Sequence, residues 1–186
     1  MRSRIFARIQ NGPEVGRDVD YEAWVREVVG VTVTRVWVFP GYLGLLSIGV
    51  FFVNDDAEDI FPSSADVLAV QSHLEDKAPI GATPSVFAAI AREIGITITT
   101  SPDDPQVADN IKNSLLDMFA TETNVGTQLY ISQIQTAIGR AVGEVFSTIT
   151  GLTTNGVSWD ANTNVPVANN ELPVLTSLII NGTEVM

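Results

Sequence analysis

The chain has 186 residues, a mass of 20.0 kDa and a formal net charge of −12 at pH 7, a length that suits one domain or two small ones sharing an interface. Hydrophobic residues make up 45% and charged ones 17%, which excludes a disordered chain and leaves much uncharged surface for contacts with other chains. There is no cysteine, so disulfides, thiolate metal sites and cysteine nucleophiles are excluded.

Charge is unevenly placed. Residues 1–35 hold six arginines (Arg2, Arg4, Arg8, Arg17, Arg26 and Arg35) against five acids, a net of +1, while the rest holds four basic residues against 17 acids, a net of −13. Such a body repels a phosphate backbone, so no nucleic-acid partner is expected. The first residues, MRSRIFARIQNGPEVG, lack the apolar run of a secretory signal. Residues 1–17 read as an arm or connector, either solvated or docking on another domain or a partner chain.

Residues 20–29 read as a short helix, capped by Asp20, with Trp24, Val25 and Val28 inward and Gly30 ending it. Val36 to Val53 then contains no charged side chain and is as long as a short membrane span. Pro40-Gly41, Gly44 and Gly49 interrupt it, its ends are rich in Val, Ile, Phe and Trp, and the preceding VTVTRVWVF alternates. It reads as a buried hairpin, with strands 31–39 and 48–54 around a loop at 40–47, and not as a span.

NDDAEDIFPSS closes the hairpin as a solvated acidic turn. Ser63 or Ser64 caps a second helix carrying Val67, Val70 and Leu74 at helical spacing, ended by Pro79 and Gly81. Residues 84–93 stay open, because Pro84 followed by alanines also suits a helix start. GITITTSP alternates, so 96–101 is expected as a strand. Asp104 caps and Pro105 starts the clearest helix, with an apolar stripe of Val107, Ile111, Leu115 and Met118 or Phe119. Ser132 caps the next one, with Ile134, Ile138 and Val142 stacked at four-residue steps. From Gly151 on, Asn-Gly and Asn-Asn turns separate short apolar runs, and a last strand over 174–180 ends at Asn181-Gly182.

The fold class expected is α+β: a small mixed α/β domain over 18–101, then a helical segment with a C-terminal β-hairpin over 102–186. The joint falls near 101–105, where Pro102 and Pro105 flank two aspartates.

Reactive constellations are sparse. His73 is the single histidine and sits on a helix as a partly exposed surface residue. The glycines of GYLGLLSIG fit neither the dinucleotide nor the phosphate-loop spacing, and there is no G-x-S-x-G elbow. With one histidine and no cysteine, zinc hydrolysis and Cys-His chemistry are not supported, while a carboxylate pair stays open because the sequence does not show which acids meet in space. Asp160, Asn162, Asn164 and Glu171 stand at positions one, three, five and twelve of a calcium loop, but Val165 occupies the position that needs glycine, so they are weak metal candidates in what reads as a hairpin loop. Two rival functions come from composition: a carboxylate-dependent hydrolase, from the surplus of acids, and a glycan-binding module, from Trp37 and Trp159 in or near strands.

The ordered succession DYEAWVREVVGV, TRVWVFP, GVFFVNDD, PSSADVLAVQSHLEDKAPIGA, an SPD entry to a later helix and NELPVLTSLIING resembles the baseplate J-like proteins of contractile phage tails, over about Arg4 to Gly182. Members usually carry a further N-terminal region, and RSRIFARIQNG resembles the connector that follows it. The chain therefore looks like the C-terminal part of such a protein, or a shortened prophage version. The resemblance implies a structural component of a phage or prophage tail baseplate, with no reaction and no cofactor. It implies binding to other copies and to neighbouring wedge proteins, hence a homo-oligomer in the virion tail baseplate, assembled in the bacterial host cytoplasm. The loop GYLGLLSIG is more apolar than the family's usual glycine-rich turn.

Overall fold

A computed structural model describes residues 16–186, so nearly all of the expected arm at 1–17 lies outside the described residues. The chain forms two compact units that divide between Ala88 and Ala89.

The first unit starts with helix α1, Asp18–Arg26. Asp20 does not stand at the cap position. It is the third helical residue and reaches back to accept the backbone N–H groups of Gly16 and Arg17, each at 3.0 Å. That satisfies donors that a helix start leaves unpaired. Strands β1, Arg35–Pro40, and β2, Ser47–Val53, form the antiparallel hairpin expected of the uncharged stretch, with Trp37 opposite Phe51. The open end of the hairpin is clamped by Asp55. Its carboxylate accepts two bonds from the Arg35 guanidinium, at 2.8 and 2.6 Å, and one from the Thr34 hydroxyl at 2.6 Å. The acidic turn is therefore partly structural and not merely solvated.

Helix α2, Ser64–Lys77, is capped by Ser63, whose hydroxyl accepts from Asp66 N. Of residues 84–93, left open by the sequence, 84–87 belong to β3, Thr83–Phe87, which runs parallel to β2. Pro84 does not start a helix; on an edge strand its missing N–H costs no ladder bond. The outer side of β3 is covered by Gln71 of α2, which donates to Pro84 O at 3.0 Å and accepts from Val86 N at 2.8 Å. One sheet face carries Val36, Val50, Phe52 and Val86, which pack on Tyr21, Val25, Val70 and Leu74 of the helices. Tyr21 was not foreseen, because helical spacing from an Asp20 cap pointed to Trp24. The opposite face carries an aromatic cluster of Phe39, Tyr42, Phe51 and Phe87 with ring centroids 5.4–6.1 Å apart. Gly49 permits it: a Cβ there would stand 2.6 Å from the Tyr42 ring.

The second unit is built on β4, Ile90–Ser101. It pairs antiparallel with β5, Phe146–Thr154, and parallel with β7, Glu171–Ile180. Short strands β6, Val157–Trp159, and β8, Thr183–Glu184, flank these in the order β6-β5-β4-β7-β8. Here the expected boundary moves. The sequence put 96–101 in the first domain, but β4 finds both its partners beyond residue 145, so it is the centre of the second unit. The expected terminal hairpin is likewise the two flanks of a five-stranded sheet.

Helix α3, Pro105–Thr121, begins as expected, with Asp104 accepting from Gln106 N at 2.8 Å. All five residues of its stripe are buried. Helix α4, Ile131–Gly139, stops earlier than expected. Val142 therefore lies beyond the helix and is 78% exposed, and the backbone N–H of Tyr130, not of Ser132, stands at the cap, bonded to Gln133 Oε1. Both helices cover one sheet face, where Ile94, Ile96, Ile98, Leu152, Leu175 and Leu178 meet Ile111, Leu115, Ile134 and Ile138. Period two in GITITTS thus puts Ile96 and Ile98 on the core, with Thr100 buried in the same row, and leaves Thr97 and Thr99 on the other face.

Candidate interaction surfaces

The residues singled out for chemistry do not converge. His73 is half-buried on α2, with Nε2 enclosed and lacking a hydrogen-bond partner. Asp160, Asn162, Asn164 and Glu171 are engaged in separate hydrogen bonds. Asp160 Oδ1 accepts from Asn162 N at 3.0 Å and Oδ2 from the Thr163 hydroxyl at 2.9 Å. Those bonds, the backbone one first, hold its carboxyl below the usual aspartate range. Asn164 Oδ1 accepts from Ile131 N at 3.1 Å and so caps α4 from a distant loop. Glu171 accepts from Ala168 N at 2.9 Å and faces Arg92 at 3.6 Å. Among the described residues, no three His, Asp or Glu side chains gather as a metal ion would require.

The two tryptophans lie in separate units. The Arg35 guanidinium sits over the Trp37 ring, 5.1 Å from its centroid. Trp159 packs on the second core and donates from Nε1 to Thr163 O at 3.0 Å. In the first core, the Tyr21 hydroxyl is enclosed without a partner, and its pKa is raised by burial and then by the charge of Asp20. No described helix is long and apolar enough to cross a membrane.

What the surface does present is apolar ends and an open strand edge. The β1–β2 loop exposes Leu43, Leu45 and Leu46, with Leu45 98% exposed. Leu46 is held at φ 65°, a region that costs an ordinary side chain roughly 1–2 kcal/mol. In the second unit, Val142, Val145 and Phe146 are exposed along the connection from α4 into β5. Strand β5 bonds β4 along its whole length, yet on its other side it meets β6 only over Leu152–Thr154. Among the described residues, the stretch 146–151 therefore has one unpaired side. Beside it runs a groove lined by Gln135 and Ile138 of α4, Ser147, Thr148 and Ile149 of β5, and Ala161 and Asn162. Sequence reasoning missed this edge, because it depends on how short β6 turns out to be.

Comparison of folds gives the class. The chain matches one in "Cryo-EM structure of the anti-feeding prophage (AFP) baseplate, 6-fold symmetrised" with a TM-score of 0.62 and 12% identity, covering 93% of this chain and 39% of that one. The shared element is a fold of two successive α+β units.

The chain belongs to the Baseplate J-like family: residues 13–88 match its central domain and 93–181 its C-terminal domain. Both matches respect the joint at 88/89. Among its relatives, "Baseplate protein gp47" of Escherichia phage Mu is 34% identical over 151 residues, covering 76% of this chain and 41% of that protein. "Mu-like prophage FluMu protein gp47" of Haemophilus influenzae is 31% identical over 157 residues, covering 79% and 43%. "Putative protein JayE" of Escherichia coli is 28% identical over 178 residues, covering 95% and 64%. The chain spans less than half the length of the first two.

Proposed function

We propose that this chain is a structural component of a phage or prophage tail baseplate and acts through protein–protein interfaces in wedge assembly. The observation that carries this reading is the presence of both baseplate domains, in order, on a fold also found in a baseplate assembly. The surface agrees with it. Exposed leucines at a hairpin tip and an open strand edge are features that a partner covers. Its partners are further copies of itself and neighbouring baseplate proteins, and its place is the virion tail baseplate, assembled in the host cytoplasm. No reaction is assigned to it. The separate engagement of Asp160, Asn164 and Glu171 supports neither metal nor carboxylate chemistry there.

The test is co-purification. The chain is expressed with candidate baseplate proteins of the same phage or prophage, and the mass of the species is measured by light scattering across a concentration series. A stable interface buries about 800 Å² per partner, so a complex that survives chromatography is expected. A chain that stays monomeric at every concentration, and alone beside each neighbour, overturns the reading.

A further inference from the structure

Where β4 runs out, α3 begins and β8 returns, the second unit encloses a cavity of about 240 Å³. Its floor is apolar: Ile180 is buried, and Ala108 and Val185 pack on the second core. Its rim is acidic and faces water, with Asp103, Asp104, Asp109 and Glu184 all exposed. We propose that this cavity takes an arginine side chain from a different, positively charged baseplate protein. The inference rests on the baseplate reading above and adds to it a place of contact and the chemistry of the partner.

The cavity has two kinds of wall, and an arginine has two matching parts. Its methylene stem lies on apolar surface while its guanidinium stays at the wet rim. There a planar fork of five donors meets carboxylates two bonds at a time. The carboxylates come from the β4–α3 connection, α3 and β8, and several are held in place. Asp103 Oδ1 accepts from Asn181 Nδ2 at 2.7 Å, and Asp104 Oδ1 from Gln106 N at 2.8 Å. Each bond uses one oxygen of a group that has two. Glu184 is brought to the same rim by its pairing with Ile179 across the β7–β8 turn. Two positive charges oppose a cation here. The start of α3 carries about half an elementary charge, and Lys112, one turn beyond Ala108, donates to Val185 O at 2.9 Å. Against them stand four carboxylates, so the negative charge prevails. A bare metal ion suits the cavity less, because hard cations need oxygens on every side and part of this wall is hydrocarbon. A second copy also suits it less: each chain carries 22 acids against 10 basic residues, so like copies repel while a basic protein is drawn to the same field.

The test has two arms, both on the full chain. In the first, the isotope-labelled chain is titrated with Nα-acetyl-arginine amide, and with Nα-acetyl-norleucine amide as an uncharged match, while amide resonances are followed by NMR. Saturating shifts at Asp103, Asp109, Glu184 and Val185 are expected with arginine and fall several-fold in Asp109→Asn/Glu184→Gln. No saturation, an equal response to norleucine, or an unchanged response in that variant overturns the proposal. In the second arm, Asp109→Lys/Glu184→Lys is tested against each baseplate protein of the same phage or prophage that the parent chain captures. A control, Asp56→Lys/Glu58→Lys, makes the same charge change at two exposed acids of the first unit. At least one partner is expected to bind the cavity variant about tenfold more weakly or worse, and the control as it binds the parent. Circular dichroism checks that each variant is folded. Equal losses in both variants overturn the proposal, because they report net charge and not this cavity. So does a cavity variant that binds every partner as the parent does; the baseplate reading then stands, since the complexes form without the cavity. A parent chain that captures no baseplate protein, whatever its response to arginine, removes the partner and the baseplate reading together.

Discussion

Asn181 offers the sharpest test of how the second unit is held together. It is the first residue of the two-residue turn between β7 and β8, with φ 49° followed by Gly182 at φ 81°. Its side chain does more than tolerate that conformation. Oδ1 accepts from Thr100 N at 2.9 Å, and Nδ2 donates to Thr100 O at 3.1 Å and to Asp103 Oδ1 at 2.7 Å. The amide thus extends the ladder of β4 past its last pair with β7. The two bonds to Thr100 are part-buried and contribute about 1 kcal/mol each; the exposed one to Asp103 adds less. Asn181→Gly keeps the turn and loses the bonds, so a loss of about 2 kcal/mol is expected. Asn181→Ala loses the bonds and also forces a positive φ on a residue with a Cβ, adding about 1 kcal/mol. Equilibrium unfolding in urea measures both, as falls in midpoint at unchanged slope. If Asn181→Gly is as stable as the parent, the amide does not hold β4 and the argument fails. Equal losses for the two variants would refute the backbone part alone.

Tyr21→Phe removes a hydroxyl enclosed without a partner, so stability at pH 7 is expected to hold or rise by up to about 1 kcal/mol. The folded pKa of Tyr21 is raised, so its contribution is complete below pH 10 and fades as the pH climbs beyond; the Phe variant is expected to lose less stability in alkali, as thermal melts on both chains would reveal. A Cβ at Gly95 would stand 2.3 Å from Thr153 Oγ1, so Gly95→Ala is expected to cost about 1–3 kcal/mol. Thr153→Ala should recover most of that in a double-mutant cycle, and additive losses would count against the clash. Asp55→Ala leaves the Arg35 guanidinium without its two-bond partner at the hairpin end, and a loss of about 1–3 kcal/mol in the same urea assay is expected. Restoring most of the stability by Asp55→Asn would show that charge matters little there.

Local chemistry was readable from the chain alone. Asp104-Pro105 and Ser63 specify helix starts through side-chain oxygens a few bonds from the N–H groups they satisfy. The stripe from Val107 to Phe119, the alternation in GITITTS and the Pro40-Gly41 break each follow from periods of 3.6 or 2 and from backbone freedom at one or two positions. The family resemblance also rests on an order of such local signals, and it held. Tertiary structure decided what depends on partners distant in sequence. Residues 83–87 became a strand because β2 and Gln71 supply the bonds that a helix would have made within itself. The joint moved to 88/89 because β4 pairs with strands more than forty residues downstream, on one side antiparallel and on the other parallel. Val142 fell outside α4 because the helix ended with the turn at Arg140, whose guanidinium reaches Glu122 at the end of α3. Of the calcium-like set, Asp160, Asn164 and Glu171 each accept from a backbone N–H that the spacing does not reveal, that of Asn164 at the start of a helix thirty-three residues away. Spacing along a chain fixes which groups share a face, but only the folded backbone settles which of them face each other.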